Sequence, residues 1–190
     1  MHYLNVLHYN VSCIFQPLNK PVLVHIATQC LTVFVQYFIS IVFAGSVDVA
    51  CDQALLKENE VTHILNVASF NTQFTVDRGP LDCAINNLFI CKHVSIMDLP
   101  DTDITGYFDD CFAFIDSALD TGGRILVHCM AGVSRAASIV IGYLMKANDM
   151  DFQMAFNHVK AKRPSIRPND GFMHQLQNYE CQLKQLKYSK

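Results

Sequence analysis

Residues 124 to 135, RILVHCMAGVSR, place a histidine, a cysteine, a glycine, a serine and an arginine at fixed spacing directly after an apolar run. With that run as a strand and Arg135 opening a helix, the peptide N–H groups of residues 130 to 135 curl into a nest at the positive end of the helix dipole. Such a nest holds an anion. Cys129 at its base has its thiolate stabilised by the same N–H groups, and a thiolate is a ready nucleophile. Arg135 adds a planar fork of donors matched to two phosphate oxygens, which lysine does not reproduce. Gly132 lets the backbone turn without a Cβ clash. The Ser134 hydroxyl can hydrogen-bond the sulfur as it departs, and His128 orients the loop through its backbone. The phosphate-binding set is Met130, Ala131, Gly132, Val133, Ser134 and Arg135. The chemistry implied is transfer of a phosphoryl group to sulfur.

That route needs a proton donor for the leaving oxygen. The segment MDLPDTD (97 to 103) offers Asp98, Asp101 and Asp103. Asp98 ranks first because it lies nearest the end of a strand, where a parallel sheet gathers its site.

These residues need a scaffold, and the pattern supplies one. FISIVFAGS from residue 38, THILNVA (62 to 68), LFICKHVSI (88 to 96) and RILVH (124 to 128) read as strands. Between them, residues 48 to 59 read as one helix, and a second carries Ile104, Phe108, Cys111, Phe112, Ile115 and Leu119 on one face before Gly122-Gly123 stops it. Arg135 to Ala147 is apolar all round and therefore central. Asp151 caps a helix to Lys162 that Arg163-Pro164 ends. Asn169 caps a last helix with Phe172, Leu176, Tyr179, Leu183 and Leu186 in a stripe. Residues 71 to 87 form a long surface loop. The fold class is α/β, a central, mostly parallel sheet of four to five strands flanked by helices.

The chain has 190 residues and a formal net charge of −3, with no run of Lys or Arg. Nucleic acid and anionic lipid are therefore excluded as partners. The eight cysteines are scattered through apolar segments and read as reduced thiols of a cytoplasmic or nuclear protein, with Cys111 and Cys181 in the core. No Cys-x-x-Cys or His-x-x-x-His spacing supports a metal, and no cofactor is expected. From Pro21 to Val47 there is no Asp, Glu, Lys or Arg, enough to span a bilayer. His25, Gln29, Gln36 and the β-branched residues favour buried strand over membrane contact by residues 21 to 44. Residues 1 to 37 are expected to be an N-terminal extension and 38 to 188 the catalytic domain.

The segments AGSVDVA, VTHILNVA, VSIMDLPDTDI, YFDDCFAFID, GGRILVHCMAGVSRAASIVIGYLMK and KAKRPSIRPNDGFMHQLQNYE together resemble the cysteine-based dual-specificity protein phosphatases, of the atypical, stand-alone type. The resemblance covers roughly residues 38 to 186. It implies Cys129 as nucleophile, Arg135 as phosphate clamp, Ser134 as the aid to thiol release and Asp98 as general acid, then base. It implies a phosphorylated protein as substrate, a component of a stress-activated MAP kinase pathway among the candidates. Two positions depart from the pattern: the loop 71 to 87 is longer, and Gly142 stands where the family usually has Ala, at a helix cost of about 1 kcal/mol. The competing function is a phosphoprotein-binding scaffold with little turnover, its acid misplaced by the long loop. Phosphoinositide phosphatases favour basic residues inside the loop, where this chain has Met130, Ala131 and Val133. A sulfurtransferase needs no Asp general acid.

Overall fold

In the computed structural model, which describes residues 23–26, 41–69 and 88–188, five strands form one parallel sheet. They are β1 (Leu23–Ile26), β2 (Ile41–Gly45), β3 (His63–Asn66), β4 (Ile90–His93) and β5 (Ile125–His128), in the order β1-β2-β5-β3-β4. The helices are α1 (Val47–Cys51), α2 (Gln53–Glu58), α3 (Phe108–Asp120), α4 (Arg135–Ala147), α5 (Phe152–Lys162) and α6 (Asp170–Tyr188). The expected α/β class is observed.

The strands sort their side chains with period two. Val42, Ala44, Leu65, Val67, Ile125 and Val127 join the core shared with α3, α4, α5 and α6. Phe43, Ile64 and Leu126 point the other way, onto Val49, Ala50 and Leu56 of α1 and α2. Both faces of β3 and β5 are thus covered, which is why these strands read as unbroken apolar runs. β5 lies between β2 and β3, so their carboxyl ends converge on the residue after His128.

Several elements differ from the sequence expectation. The single helix over 48 to 59 is two, because Asp52 leaves helical geometry (φ −87°, ψ 86°) and its side chain accepts from Leu55 N at 3.0 Å. A short acidic side chain competes with the helix for its own backbone and caps the next one. The strand expected over 88 to 96 is only Ile90–His93, largely exposed at the sheet edge. Cys111 is buried as expected, whereas Cys181 is exposed on α6. The α6 stripe is buried at Phe172 and Leu176, half-buried at Tyr179 and Leu183, and exposed at Leu186.

Leu23–Ile26, within the apolar segment before residue 38, pairs in parallel with β2. The remainder of that segment to residue 40, and the loop 71 to 87, lie outside the described residues. Among the described residues no helix is long and apolar enough to cross a membrane.

Gly142 in α4 faces Phe108, and a Cβ built there would lie 2.7 Å from the ring's Cζ. Phe108 is buried between Phe112 (centroids 4.8 Å apart) and Tyr179 (4.9 Å). The glycine thus makes room for an aromatic stack. Gly142→Ala is expected to lower the melting temperature, because overpacking of about 1–3 kcal/mol outweighs the roughly 1 kcal/mol of helix propensity gained. A melting temperature at or above wild type by differential scanning fluorimetry would contradict this.

Candidate active site

Cys129 follows β5 directly, and Arg135 opens α4, so the loop between them spans the ends of two buried elements. Every carbonyl from Cys129 to Val133 is tied by a donor on the outer side of the loop. His128 Nδ1 donates to Cys129 O (3.3 Å), Val47 N to Met130 O (3.0 Å) and Arg163 Nη2 to Ala131 O (2.9 Å). Arg163 Nε donates to Gly132 O (3.1 Å) and Arg167 N to Val133 O (2.8 Å). In a trans peptide the C=O of one residue and the N–H of the next point in opposite directions. Fixing five carbonyls outward therefore aims the N–H groups of Met130 to Ser134 inward. Among the described residues none of those five has a protein acceptor. These amides face the N-terminal end of α4, whose dipole favours negative charge there.

Gly132 has φ +66°, and a Cβ there would sit 2.5 Å from the Gly45 carbonyl. Only glycine satisfies both the left-handed turn and this approach to β2.

Arg135 is buried, and its Nη1 donates to Ile96 O (3.0 Å) and Ser69 Oγ (3.3 Å). These bonds hold the guanidinium at the ends of β3 and β4. Its Nε is 3.5 Å from Asp98 Oδ2. Asp98 Oδ1 accepts from Ser134 Oγ (2.7 Å) and from Asn169 Nδ2 (2.9 Å). The site thus brings together Cys129, Ser134 and Arg135 of the loop after β5 and Asp98 of the loop after β4. The Ser134 hydroxyl donates to Asp98 and accepts from Asn169 N at 3.1 Å.

The other two candidate acids are placed differently. Asp103 accepts from Thr105 Oγ1 (2.7 Å) and Gly106 N (3.1 Å), and these bonds, the threonine's first, hold its carboxyl below the usual range. A carboxylate so held is a turn cap and a poor proton donor. Asp101 is exposed.

Loop 98 to 104 is fastened to α6 at three points. Besides the Asn169–Asp98 bond, Ile104 N donates to Gln175 Oε1 (2.9 Å) and Gln175 Nε2 donates to Thr102 O (2.8 Å). Gly171 packs so closely on Pro100 that a Cβ would enter the space of the proline carbonyl. Asn169 serves two elements, since its Oδ1 also accepts from Phe172 N (2.9 Å) as the helix cap. The sequence suggested the cap and missed the link to Asp98. Arg163 was legible only as a helix stop, and its clamp on the loop had no local signal.

His128 is fully buried, and burial pushes its pKa down to about 4, opposed by the bond to Cys129 O. The folded value lies below the unfolded one, so the unfolded chain takes up the proton first as pH falls. This group leaves stability intact above about 6.5 and erodes it between there and about 4. From pH 7 to pH 5 urea unfolding should lose about 2 kcal/mol to this residue. His63 and His158, also lowered by burial, add to the effect. In His128→Gln the slope should be shallower, and an equal slope in both proteins would refute the assignment. Burial pushes the Cys111 thiol up to about 12, which leaves it unreactive. Among the described residues no three His, Cys, Asp or Glu side chains gather as a metal would require.

Comparison with known proteins fits this geometry. The profile of the dual specificity phosphatase catalytic domain matches residues 42–182. Dual specificity protein phosphatase 19 of Mus musculus is 48% identical over 136 residues, 72% of this chain and 57% of that protein. MAP kinase phosphatase with leucine-rich repeats protein 2 of Dictyostelium discoideum is 37% identical over 141 residues, 74% of this chain and 19% of that protein. The chain spans less than two thirds of either relative. Among solved structures, the human tyrosine phosphatase-like serine/threonine/tyrosine-interacting protein superposes with a TM-score of 0.66 at 34% identity, covering 74% of this chain and 91% of that one.

Proposed function

Because the chain belongs to the dual-specificity protein phosphatases, of the atypical kind, we propose that the whole protein hydrolyses phosphotyrosine and phosphoserine or phosphothreonine in other proteins through a cysteinyl-phosphate intermediate. The observation that carries this reading is the loop with all five carbonyls from Cys129 to Val133 turned outward. It offers its amides to one tetrahedral anion directly over a cysteine.

In the proposed reaction the phosphate dianion sits on those amides, with the guanidinium of Arg135 on two of its oxygens. The Cys129 thiolate attacks phosphorus, forming an S–P bond as the P–O bond to the substrate breaks. Asp98 gives its proton to the departing oxygen. The resulting carboxylate then takes a proton from water, which attacks phosphorus and breaks the S–P bond. Inorganic phosphate leaves and the thiolate returns. Ser134, bonded to Asp98, can turn its hydroxyl to the sulfur as that bond breaks, and His128 keeps the loop in register with β5.

Exposed Met97 and Leu99 flank Asp98, and exposed Met130 follows Cys129. This apolar rim supports a peptide-borne phosphate over an inositol polyphosphate, for which basic residues inside the loop would be required. A MAP kinase pathway component is the substrate class proposed, on the sequence resemblance and on the name of the Dictyostelium relative. Residue 38 is the proposed start of the catalytic domain, with β1 added to its sheet by the segment before it.

The test is a panel of phosphotyrosyl, phosphothreonyl and phosphoseryl peptides, some drawn from doubly phosphorylated kinase activation loops, with inositol phosphates beside them. Peptide hydrolysis is expected in both residue classes. Turnover confined to inositol phosphates, or absent from every substrate, would defeat the proposal.

A further inference from the structure

The two buried guanidinium groups at the loop do different work. Arg135 belongs to the motif and is held by Ile96 O and Ser69 Oγ beside Asp98. Arg163, at the end of α5 and 31 residues from Gly132, approaches from the opposite side. It is 5% exposed, and burying a charged side chain so fully is costly without hydrogen bonds to its N–H groups. Its Nη2 and Nε donate to the successive carbonyls of Ala131 and Gly132, at 2.9 and 3.1 Å.

We propose that Arg163 is a positioning residue for oxyanion binding: its fork locks two consecutive peptide planes so that the amides of Gly132 and Val133 face the phosphate. The inference rests on the phosphatase reading above, and on the requirement that trans peptides point C=O and N–H oppositely.

Three facts support it. The glycine at 132 is needed for the approach of this arginine as well as for φ, since a Cβ there would also lie 3.0 Å from Arg163 Nη2. Ile166 and Arg167 extend the same device, with Ile166 N donating to Arg163 O (3.1 Å) and Arg167 N to Val133 O (2.8 Å). One short segment after α5 therefore orients three of the five peptides. Last, burial lowers the Arg163 pKa while the charge of Cys129 opposes that change, so the guanidinium lies within the field of the nucleophile.

A lysine at 163 has one compact ammonium on a flexible stem and no planar fork, so it does not reproduce the two fixed donor directions that hold both peptide planes. The experiment uses the full chain carrying Cys129→Ser, in which phosphate binds without reaction, and compares it with the same protein carrying Arg163→Lys or Arg163→Gln. Inorganic phosphate affinity is measured by calorimetry, and the melting temperature is recorded without phosphate. We expect phosphate to bind at least about tenfold more weakly in both arginine variants, with phosphate-free melting still a single cooperative transition that shows each variant folded. Unchanged affinity in either folded variant would overturn the proposal. Undetectable phosphate binding to the parent itself would instead defeat the phosphatase reading.

Should both variants fail to fold, amide hydrogen exchange of the Cys129→Ser parent decides the matter. Phosphate must slow exchange at Gly132 and Val133, and no slowing at those two amides overturns the proposal.

Discussion

Replacing Cys129 by serine is expected to reduce hydrolysis of a small aryl phosphate on the order of 10⁴-fold or more, with the fold and phosphate binding retained. A serine hydroxyl holds its proton at neutral pH, and in the first step Asp98 must itself carry a proton to act as the acid, so it is not the base that would remove it. His128 uses Nδ1–H on the Cys129 carbonyl, and Arg135 and Arg163 accept no proton. The inward-facing peptide amides therefore find no anion in the serine protein until phosphate arrives. The size change is small and Cys129 is buried, so the melting temperature should move little. Steady-state kinetics with p-nitrophenyl phosphate, together with a melting curve, check both halves. Turnover surviving the change would remove Cys129 from the mechanism.

The second large effect is at Asp98. Asp98→Asn keeps the shape and still accepts from Ser134 and Asn169 through its carbonyl oxygen, but it has no acidic proton to give. The rate should fall on the order of 10²-fold or more, and unequally across substrates. An aryl oxide leaves unaided more readily than an alkoxide, so phosphothreonine and phosphoserine peptides should suffer more than phosphotyrosine peptides. These two readouts, the fall in rate and its inequality across substrates, separate the acid from a residue that merely braces the loop. If turnover is unchanged while phosphopeptide binding persists, the scaffold reading gains.

The motif chemistry was legible in the sequence because it is contiguous. His128 to Arg135 occupy a strand end, a turn and a helix start, so spacing alone implied a nest, a nucleophile and a clamp. The buried face of α3 and the caps at Asp151 and Asn169 were legible for the same reason, each being written within one or two turns. What lay hidden spans the chain. Arg163 meets Gly132 across 31 residues and Asn169 meets Asp98 across 71, and no local pattern records which surfaces tertiary packing will bring together. The exposure of β4 was hidden likewise, since an apolar run at a sheet edge looks the same in sequence as one in the middle. The break at Asp52 was the exception, a local signal outweighed by the apolar spacing on either side of it.

The attachment of loop 98 to 104 to α6 bears on timing. A surface loop tethered only at its ends samples new shapes in nanoseconds to microseconds. This one is held in the middle as well, by Asn169, Gly171 and Gln175, and these sit in the same stretch that carries buried Phe172 and Leu176. Asp98 therefore does not flicker independently of the protein. It travels with the first two turns of a helix anchored in the core, so any rearrangement that admits substrate or frees product is a collective displacement, on the slower clock of packed elements.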